Sequence, residues 1–211
     1  MKFKKQTLFS LAIAASVLAS CSSKQTENTE SNAALDNIMT RTSIRAYTAD
    51  SISKENIETM LRAAMAAPSA GNKQPWRFVV IENRATLDSI GANFGSMKMA
   101  SQAPLGIVVC GDLEATFPEE GRDYWIEDTS AAMENLLLAA HSIGLGAVWC
   151  GIYPMPDRVQ AFSEMLSLPE NIIPMGVAII GHPQSAQEPK DKWNPEYVHY
   201  ESWKKSGAKG F

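Results

Sequence analysis

The sequence predicts one folded domain that mixes α-helices with β-strands, and two observations support this prediction. Segments with the helical spacing of apolar residues alternate with short apolar runs typical of strands. From Ala33 onward there is no second linker and no internal repeat, so about 175 residues form a single domain. Of the 211 residues, 45% are hydrophobic and 20% are charged, which excludes a disordered chain, a collagen and a disulfide scaffold.

Five helices are predicted, two of them by strong signals. Ser53 can cap the second helix, and Pro68 ends it. The fourth keeps the helical spacing of apolar residues for about five turns, which is too broad a stripe for a surface helix. We therefore expect this helix at the centre of the fold or at a subunit interface. The predicted helices cover residues 35–41, 53–68, 85–94, 122–142 and 156–165.

Four apolar runs between these helices predict strands, at residues 77–82, 105–111, 147–152 and 175–181. Gly144 and Gly146, which precede the third strand, resemble a dinucleotide motif. They follow a helix and precede a strand, however, whereas a phosphate-binding glycine loop follows a strand and opens a helix. We interpret both glycines as the stop of the fourth helix.

The N-terminus has the pattern of a bacterial lipoprotein signal. Three lysines precede an apolar run at 8–18, too short to span a bilayer, and the run ends in Leu18-Ala19-Ser20-Cys21. This predicts a signal peptide at 1–20, lipid on Cys21, a flexible tether at 21–32 and the folded domain at 33–211. The protein would then be anchored to a membrane surface in the bacterial cell envelope, in the periplasm or at the outer membrane. The alternative is a plain signal peptide in which Cys21 is incidental.

Charge and side-chain spacing exclude several functions. Beyond residue 20 the chain carries 16 basic and 23 acidic residues, which argues against nucleic acid as a partner. Cys110 and Cys150 lie in apolar runs and are expected to be buried free thiols, and no spacing typical of metal ligands occurs. There is no GxSxG motif, and no carboxylate spacing singles out a histidine, so we assign no catalytic acid, base or nucleophile.

Two segments could bind a ligand. Arg41-Thr42-Ser43-Ile44-Arg45 places two guanidinium groups around two hydroxyls, which suits a phosphate group. The alternative is a helix end with solvated arginines. The loop at 66–76 is rich in amides and prolines and could bind the edge of a heteroaromatic ring. Its alternative is a helix-to-strand turn with Trp76 in the core.

Taken together, these segments resemble the nitroreductase superfamily, whose members carry an Arg-x-Ser-x-Arg cluster and then a Pro-Ser-x-x-Asn-x-Gln-Pro-Trp loop. The stretch Gly144-Leu-Gly-Ala-Val-Trp-Cys-Gly151 is similar to the family's GLG-x-x-W-x-G segment. Pro189-Lys-Asp-Lys192 is similar to its late Lys-x-Arg phosphate contact, with lysine in place of the arginine. The resemblance covers about residues 34 to 204.

The resemblance implies an α+β fold with a central, mostly antiparallel sheet flanked by helices. It also implies an intertwined homodimer with two FMN sites at its interface. The broad apolar helix would lie in the dimer core, and the C-terminal tail would reach the partner.

For the cofactor site, the resemblance implies three groups of residues. Phosphate and ribityl contacts would come from residues 41–45, the basic cluster, and from the two lysines of the segment at 189–192. Ring contacts would come from the amide-rich loop at 66–76 of the other subunit. A backbone N–H of the third predicted strand would donate to flavin N5, with three candidates left open. These groups are Arg41, Thr42, Ser43, Arg45, Lys190 and Lys192; Pro68, Ser69 and Asn72; and Cys150, Gly151 and Ile152.

The implied activity is a ping-pong transfer of electrons from NAD(P)H through FMN to a small acceptor such as a nitroaromatic or a quinone. An exported protein would meet little NAD(P)H, so we hypothesise that the physiological donor differs. Alternatives are a flavin-binding lipoprotein with little turnover, or a related chemistry such as reductive dehalogenation or flavin fragmentation. Relatives with those chemistries carry lid segments, for which this chain offers few residues, around 114–123.

Overall fold

The computed structural model of the protein describes residues 32–203. The predicted signal peptide, Cys21 and nearly all of the predicted tether lie outside the described residues, as do residues 204–211. Within 32–203, no helix is both long enough and apolar enough to cross a membrane.

All five predicted helices and all four predicted strands are present, with ends within three residues of the prediction. The helices are α1 (Ala33–Thr40), α2 (Lys54–Met65), α3 (Arg84–Asn93), α4 (Tyr124–Ser142) and α5 (Pro156–Leu166). The strands are β1 (Trp76–Ile81), β2 (Leu105–Asp112), β3 (Gly146–Gly151) and β4 (Ile172–Gly181). Ser53 caps α2 as predicted, because its side chain accepts the N–H of Asn56 at 3.2 Å.

The four strands form one sheet in the order β1-β2-β4-β3, and every neighbouring pair is antiparallel. Helices flank the sheet, so the α+β class and the antiparallel sheet implied by the resemblance are confirmed. The two central strands are buried along almost their whole length, which explains why their sequences are continuous apolar runs and not alternating ones.

Each face of the sheet carries its own hydrophobic core. α2 and α4 cover one face, and α3 and α5 cover the other. α4 lies between α2 and the sheet, and Ala132, Met133 and Leu136 of this helix are fully inaccessible to solvent. The broad apolar stripe of α4 is therefore explained by its central position within one chain.

Only one of the two glycines predicted to stop α4 has that role. Gly144 follows the helix with φ +79°, a left-handed conformation that favours glycine. Gly146 is instead the first residue of β3, where it pairs with Gly181 of β4. A Cβ at Gly146 would lie 2.7 Å from the Cβ of Ile44, and one at Gly181 would lie 2.8 Å from the Cβ of Tyr47. The prediction for Gly146 was wrong because it rested on the neighbouring sequence alone, which does not reveal the contact with Ile44 or the pairing with Gly181.

Because the two paired glycines lack side chains, residues 43–47 can pack directly on the backbone of the sheet at this point. Ser43 forms a parallel bridge with Ala147, and Tyr47 forms an antiparallel bridge with Pro183. The buried Tyr47 hydroxyl shares its one proton between two carbonyls, those of Ile44 (2.5 Å) and Ile179 (2.8 Å). Burial raises the pKa of Tyr47 well above its usual value, so the hydroxyl remains a donor at physiological pH. The segment is thus fixed against the ends of β3 and β4.

We predict that Gly146→Ala lowers the free energy of unfolding by about 1–3 kcal/mol, because its methyl group would overlap Ile44 and push residues 43–47 off the sheet. Urea unfolding followed by circular dichroism measures this change. Gly95→Ala is the matched control, since a Cβ there meets no atom within 4 Å and its φ is not in the left-handed region. Equal stability of the two variants would contradict the close approach of Ile44.

Candidate functional site

A cleft of about 750 Å³ opens beside the segment that crosses the glycine pair. This volume is in the range of small-molecule sites. The cleft brings together residues from the two ends of the described chain. All six residues assigned to phosphate and ribityl contacts line it: Arg41, Thr42, Ser43, Arg45, Lys190 and Lys192.

The fold explains why residues so distant in sequence meet here. Arg41 follows the last turn of α1, and the chain then crosses the sheet to Tyr47. Beyond β4, the N–H of Gln184 donates to the carbonyl of Ala46 at 3.0 Å, and the N–H of Thr48 donates to the carbonyl of His182 at 2.9 Å. The chain that leaves β4 towards Lys190 and Lys192 is therefore hydrogen-bonded to the residues that directly follow the basic cluster.

Both signs of charge line the cleft. Besides the four cations, its lining includes Glu134, Glu188 and Asp191. The Nε atom of Arg41 lies 3.4 Å from a carboxylate oxygen of Glu134, and the Arg41 side chain is only 16% exposed. Glu134 thus helps to hold Arg41 at the wall of the cleft. Sequence analysis missed Glu134, which lies on α4 far along the chain and carries no local signal.

His141 adds no charge to this region. Its Nε2 atom lies 2.9 Å from the Thr40 hydroxyl, at the end of α1. Burial, with a smaller contribution from the Arg41 guanidinium, lowers the pKa of His141 below its usual value. The imidazole is therefore neutral at physiological pH, and the cleft depends on its arginines and lysines for positive charge.

The structure distinguishes between the three backbone N–H groups left open at the end of β3. The N–H of Ile152 donates to the carbonyl of Met175 at 3.1 Å, and the carbonyl of Ala147 accepts the N–H of Ile44 on the opposite side of the strand. Because backbone groups alternate in direction along a strand, Cys150 faces β4 as Ile152 does, and Gly151 faces away from it as Ala147 does. Of the three, only the N–H of Gly151 is directed away from the sheet.

Gly151 also differs from the packed glycines in its surroundings. The nearest atom to a Cβ built at Gly151 would be the Tyr153 carbonyl oxygen, 4.0 Å away, and φ of Gly151 is not in the left-handed region. Neither the backbone conformation nor a neighbouring side chain requires glycine here, in contrast to Gly146 and Gly181. The space beside Gly151 is open, and its N–H points out of the sheet.

The two cysteines of the described chain are free and buried, as predicted. Burial raises the pKa of the Cys110 thiol to about 12. Burial also raises the pKa of the Cys150 thiol, against the opposing influence of Arg45 and Arg158. Both thiols are therefore protonated at physiological pH and lack the thiolate that a nucleophile requires.

The amide-rich loop lies apart from the cleft within this chain. Pro68, Ser69 and Asn72 do not line the cleft, so one chain does not bring them to the basic cluster. The loop is shaped by its own contacts: the Ser69 hydroxyl accepts the N–H of Gln74 at 3.0 Å. Trp76, which follows, is buried, as the alternative interpretation of this segment expected.

Two contacts support the loop from outside. Its Ala70 N–H donates to the buried carboxylate of Asp128 on α4 at 2.8 Å. Burial raises the pKa of Asp128 above its usual value. A Cβ at Gly71 would lie 2.7 Å from Phe117, so the Phe117 side chain packs on this loop. The segment around 114–123 is thus attached to the loop through Phe117, while most of its other residues are exposed.

Fold and cleft together define an α+β protein in which a cleft lined by four cations and three carboxylates lies at one end of an antiparallel sheet. Comparison with known proteins identifies the class. The family model described as "Nitroreductase family" matches residues 38–97 and 91–182. The chain belongs to the nitroreductase family.

Relatives and solved structures agree with this assignment. An Archaeoglobus fulgidus protein, provisionally named NADH dehydrogenase/NAD(P)H nitroreductase, is 44% identical over 170 residues, which cover 79% of this chain and 96% of that protein. A Bacteroides thetaiotaomicron structure with the same provisional name is 46% identical, with a TM-score of 0.77, and the match covers 82% of this chain and 99% of that one. A provisionally named nitroreductase from Desulfovibrio desulfuricans, solved in complex with FMN, is 32% identical, with a TM-score of 0.70 and coverage of 82% and 99%.

Proposed function

We propose that the protein passes electrons from NAD(P)H to a small acceptor, such as a nitroaromatic or a quinone, in a ping-pong cycle that uses FMN. Family membership supports the coarser statement, that the chain is an FMN-dependent NAD(P)H oxidoreductase. The observation that carries the proposal is the cleft, in which four cations and two hydroxyls from both ends of the chain converge.

The cleft residues would hold the anionic end of FMN. Guanidinium groups donate in pairs to phosphate oxygens, and Arg41 and Arg45 supply two such groups. Lys190 and Lys192, which line the same cleft, add two point charges. Thr42 and Ser43 would donate to the phosphate or the ribityl chain. The partly buried Arg41 is held in place by Glu134 before any ligand arrives, which lowers the entropic cost of binding.

The end of β3 would hold the reactive edge of the ring. A planar ring can approach Gly151 closely because a Cβ there would meet no atom nearer than 4.0 Å, and the Gly151 N–H is free to donate to flavin N5. Cys150 and Ile152 would contribute by packing, since their N–H groups face β4. A fixed hydrogen bond at N5 would orient the ring for electron transfer.

We propose that a homodimer completes the site. Pro68, Ser69 and Asn72 would then approach the ring bound to the partner subunit, as the family resemblance implies. The open outer edge of β1 and the exposed apolar side chains of α1 (Leu35, Ile38 and Met39) are consistent with a further interface. We also propose that lipid on Cys21 anchors the enzyme in the cell envelope, where its physiological donor would differ from NAD(P)H.

The chemistry needs little from the side chains of this protein. When bound, FMN supplies the electron transfer, accepting a hydride from the donor and returning electrons to the acceptor. The chain binds the phosphate, orients the ring through Gly151 and leaves space for donor and acceptor. Because both thiols are protonated and no acid or base is required, we assign no catalytic side chain.

Reconstitution tests the proposal directly. We expect purified protein with added FMN to be yellow, to lose the colour with NADH or NADPH, and to regain it with a nitroaromatic or a quinone without air. Stopped-flow absorbance would follow both half-reactions. Protein that binds FMN but is not reduced by either nicotinamide would instead favour the flavin-binding lipoprotein with little turnover.

We predict that Arg41→Ala weakens FMN binding about ten- to a hundredfold, because charge-assisted hydrogen bonds contribute about 1.5–3 kcal/mol each. Fluorescence titration of the apoprotein with FMN measures this change. Arg62→Ala is the matched control, since Arg62 also pairs with a glutamate but lies exposed on α2. Equal dissociation constants for the two variants would argue against Arg41 as a phosphate ligand.

We also predict that Gly151→Ala leaves the unfolding free energy within about 0.5 kcal/mol of the wild type, because the new methyl group meets no protein atom closer than 4.0 Å. The same methyl group would overlap the flavin ring that we place beside Gly151, so FMN affinity should fall about five- to a hundredfold. Urea unfolding of the apoprotein and FMN titration measure the two effects. Unchanged affinity would mean that the ring does not lie beside Gly151.

A further inference from the structure

Arg158 makes a contact at the end of β3 that the proposed cofactor site leaves unexplained. It lies in the first turn of α5, and its Nη1 atom donates to the carbonyl oxygen of Gly151 at 2.8 Å. Along a strand, the N–H and carbonyl of one residue point to the same side. Arg158 therefore sits on the side of the strand to which the free N–H of Gly151 is directed.

A second arginine lies near the same strand end. The charges of Arg45 and Arg158 both lower the pKa of the Cys150 thiol, against the larger effect of burial. Both guanidinium groups therefore interact electrostatically with the residue that precedes Gly151. Among residues 32–203, no carboxylate lies within 4.0 Å of either guanidinium, whereas Arg41 and Arg77 are both paired. Within the described residues, neither guanidinium at the end of β3 is thus held in an ion pair with a carboxylate.

We propose that Arg158 is a positioning residue that fixes Gly151 and makes the site bind reduced FMN more tightly than it would without this charge. This inference rests on the proposed function, because it requires the flavin ring to lie beside Gly151. The quantity concerned is the affinity for reduced FMN relative to oxidised FMN. Contacts to the phosphate do not change this ratio, because the phosphate is the same in both redox states.

The physical reason is the change of charge on reduction. Hydride transfer from NAD(P)H adds two electrons and one proton to the flavin, so the ring gains one negative charge and the donor leaves as NAD(P)⁺. A nearby cation stabilises the added charge and has little effect on the neutral oxidised ring. The hydrogen bond from Arg158 to the Gly151 carbonyl holds the cation at the strand end and limits the freedom of an exposed glycine.

The experiment compares the midpoint potential of bound FMN in the wild type, Arg158→Gln and Arg158→Lys. Glutamine keeps an N–H donor on a side chain two bonds shorter and carries no charge, whereas lysine keeps the charge. We expect Arg158→Gln to lose about fivefold in affinity for reduced relative to oxidised FMN, which corresponds to a potential about 20 mV lower for a two-electron couple. Arg158→Lys should retain the wild-type potential within error.

Arg62→Gln, which removes the same charge from an exposed position on α2, is the matched control and should not move the potential. An unchanged potential in Arg158→Gln would overturn the inference, even if FMN bound more weakly, because equal loss of both redox states indicates a purely structural role. An equal fall in Arg62→Gln would also overturn it, since the effect would then be one of net charge. Wild-type protein that binds no FMN would refute the proposed function itself, an outcome separate from the first two.

Discussion

The contact on which the rest of the site depends is the packing of Ile44 and Tyr47 on a pair of glycines. Gly146 and Gly181 face each other across β3 and β4, and neither has room for a Cβ. Any side chain at these positions would lift residues 43–47 from the sheet. The basic cluster would then lose its fixed place beside the chain that leaves β4, and the cleft would lose one wall.

Directed contacts, and not an excess of positive charge, characterise this cleft. The chain as a whole carries a net charge of −4, and three carboxylates accompany four cations in the cleft lining. Glu134 offsets part of the charge of Arg41 but also holds its guanidinium at the wall. A site of this kind favours a ligand with a compact, doubly charged group that several donors can reach together. Its mixed charges give little attraction for a long polyanion.

Local sequence patterns predicted the helices and strands because hydrophobic period, caps and prolines act over a few residues. The same patterns could not predict what depends on distant contacts. Gly146 was assigned to a helix stop because the close approach of Ile44 is invisible in the local sequence. The order of the strands and the meeting of Arg41 with Lys190 also follow from tertiary packing. The direction of the Gly151 N–H also depends on tertiary structure. It follows from the hydrogen bond between the Ile44 N–H and the Ala147 carbonyl, which shows which residues of β3 face away from β4.

The central claim is that the cleft beside the crossing segment recognises the phosphate of a flavin mononucleotide. Comparing FMN with riboflavin, which has the same ring and ribityl chain but no phosphate, tests this claim most directly. Isothermal titration of the apoprotein should give a dissociation constant at least about a hundredfold lower for FMN, because two or more charge-assisted contacts are lost with the phosphate. Equal affinity for the two flavins would contradict the account.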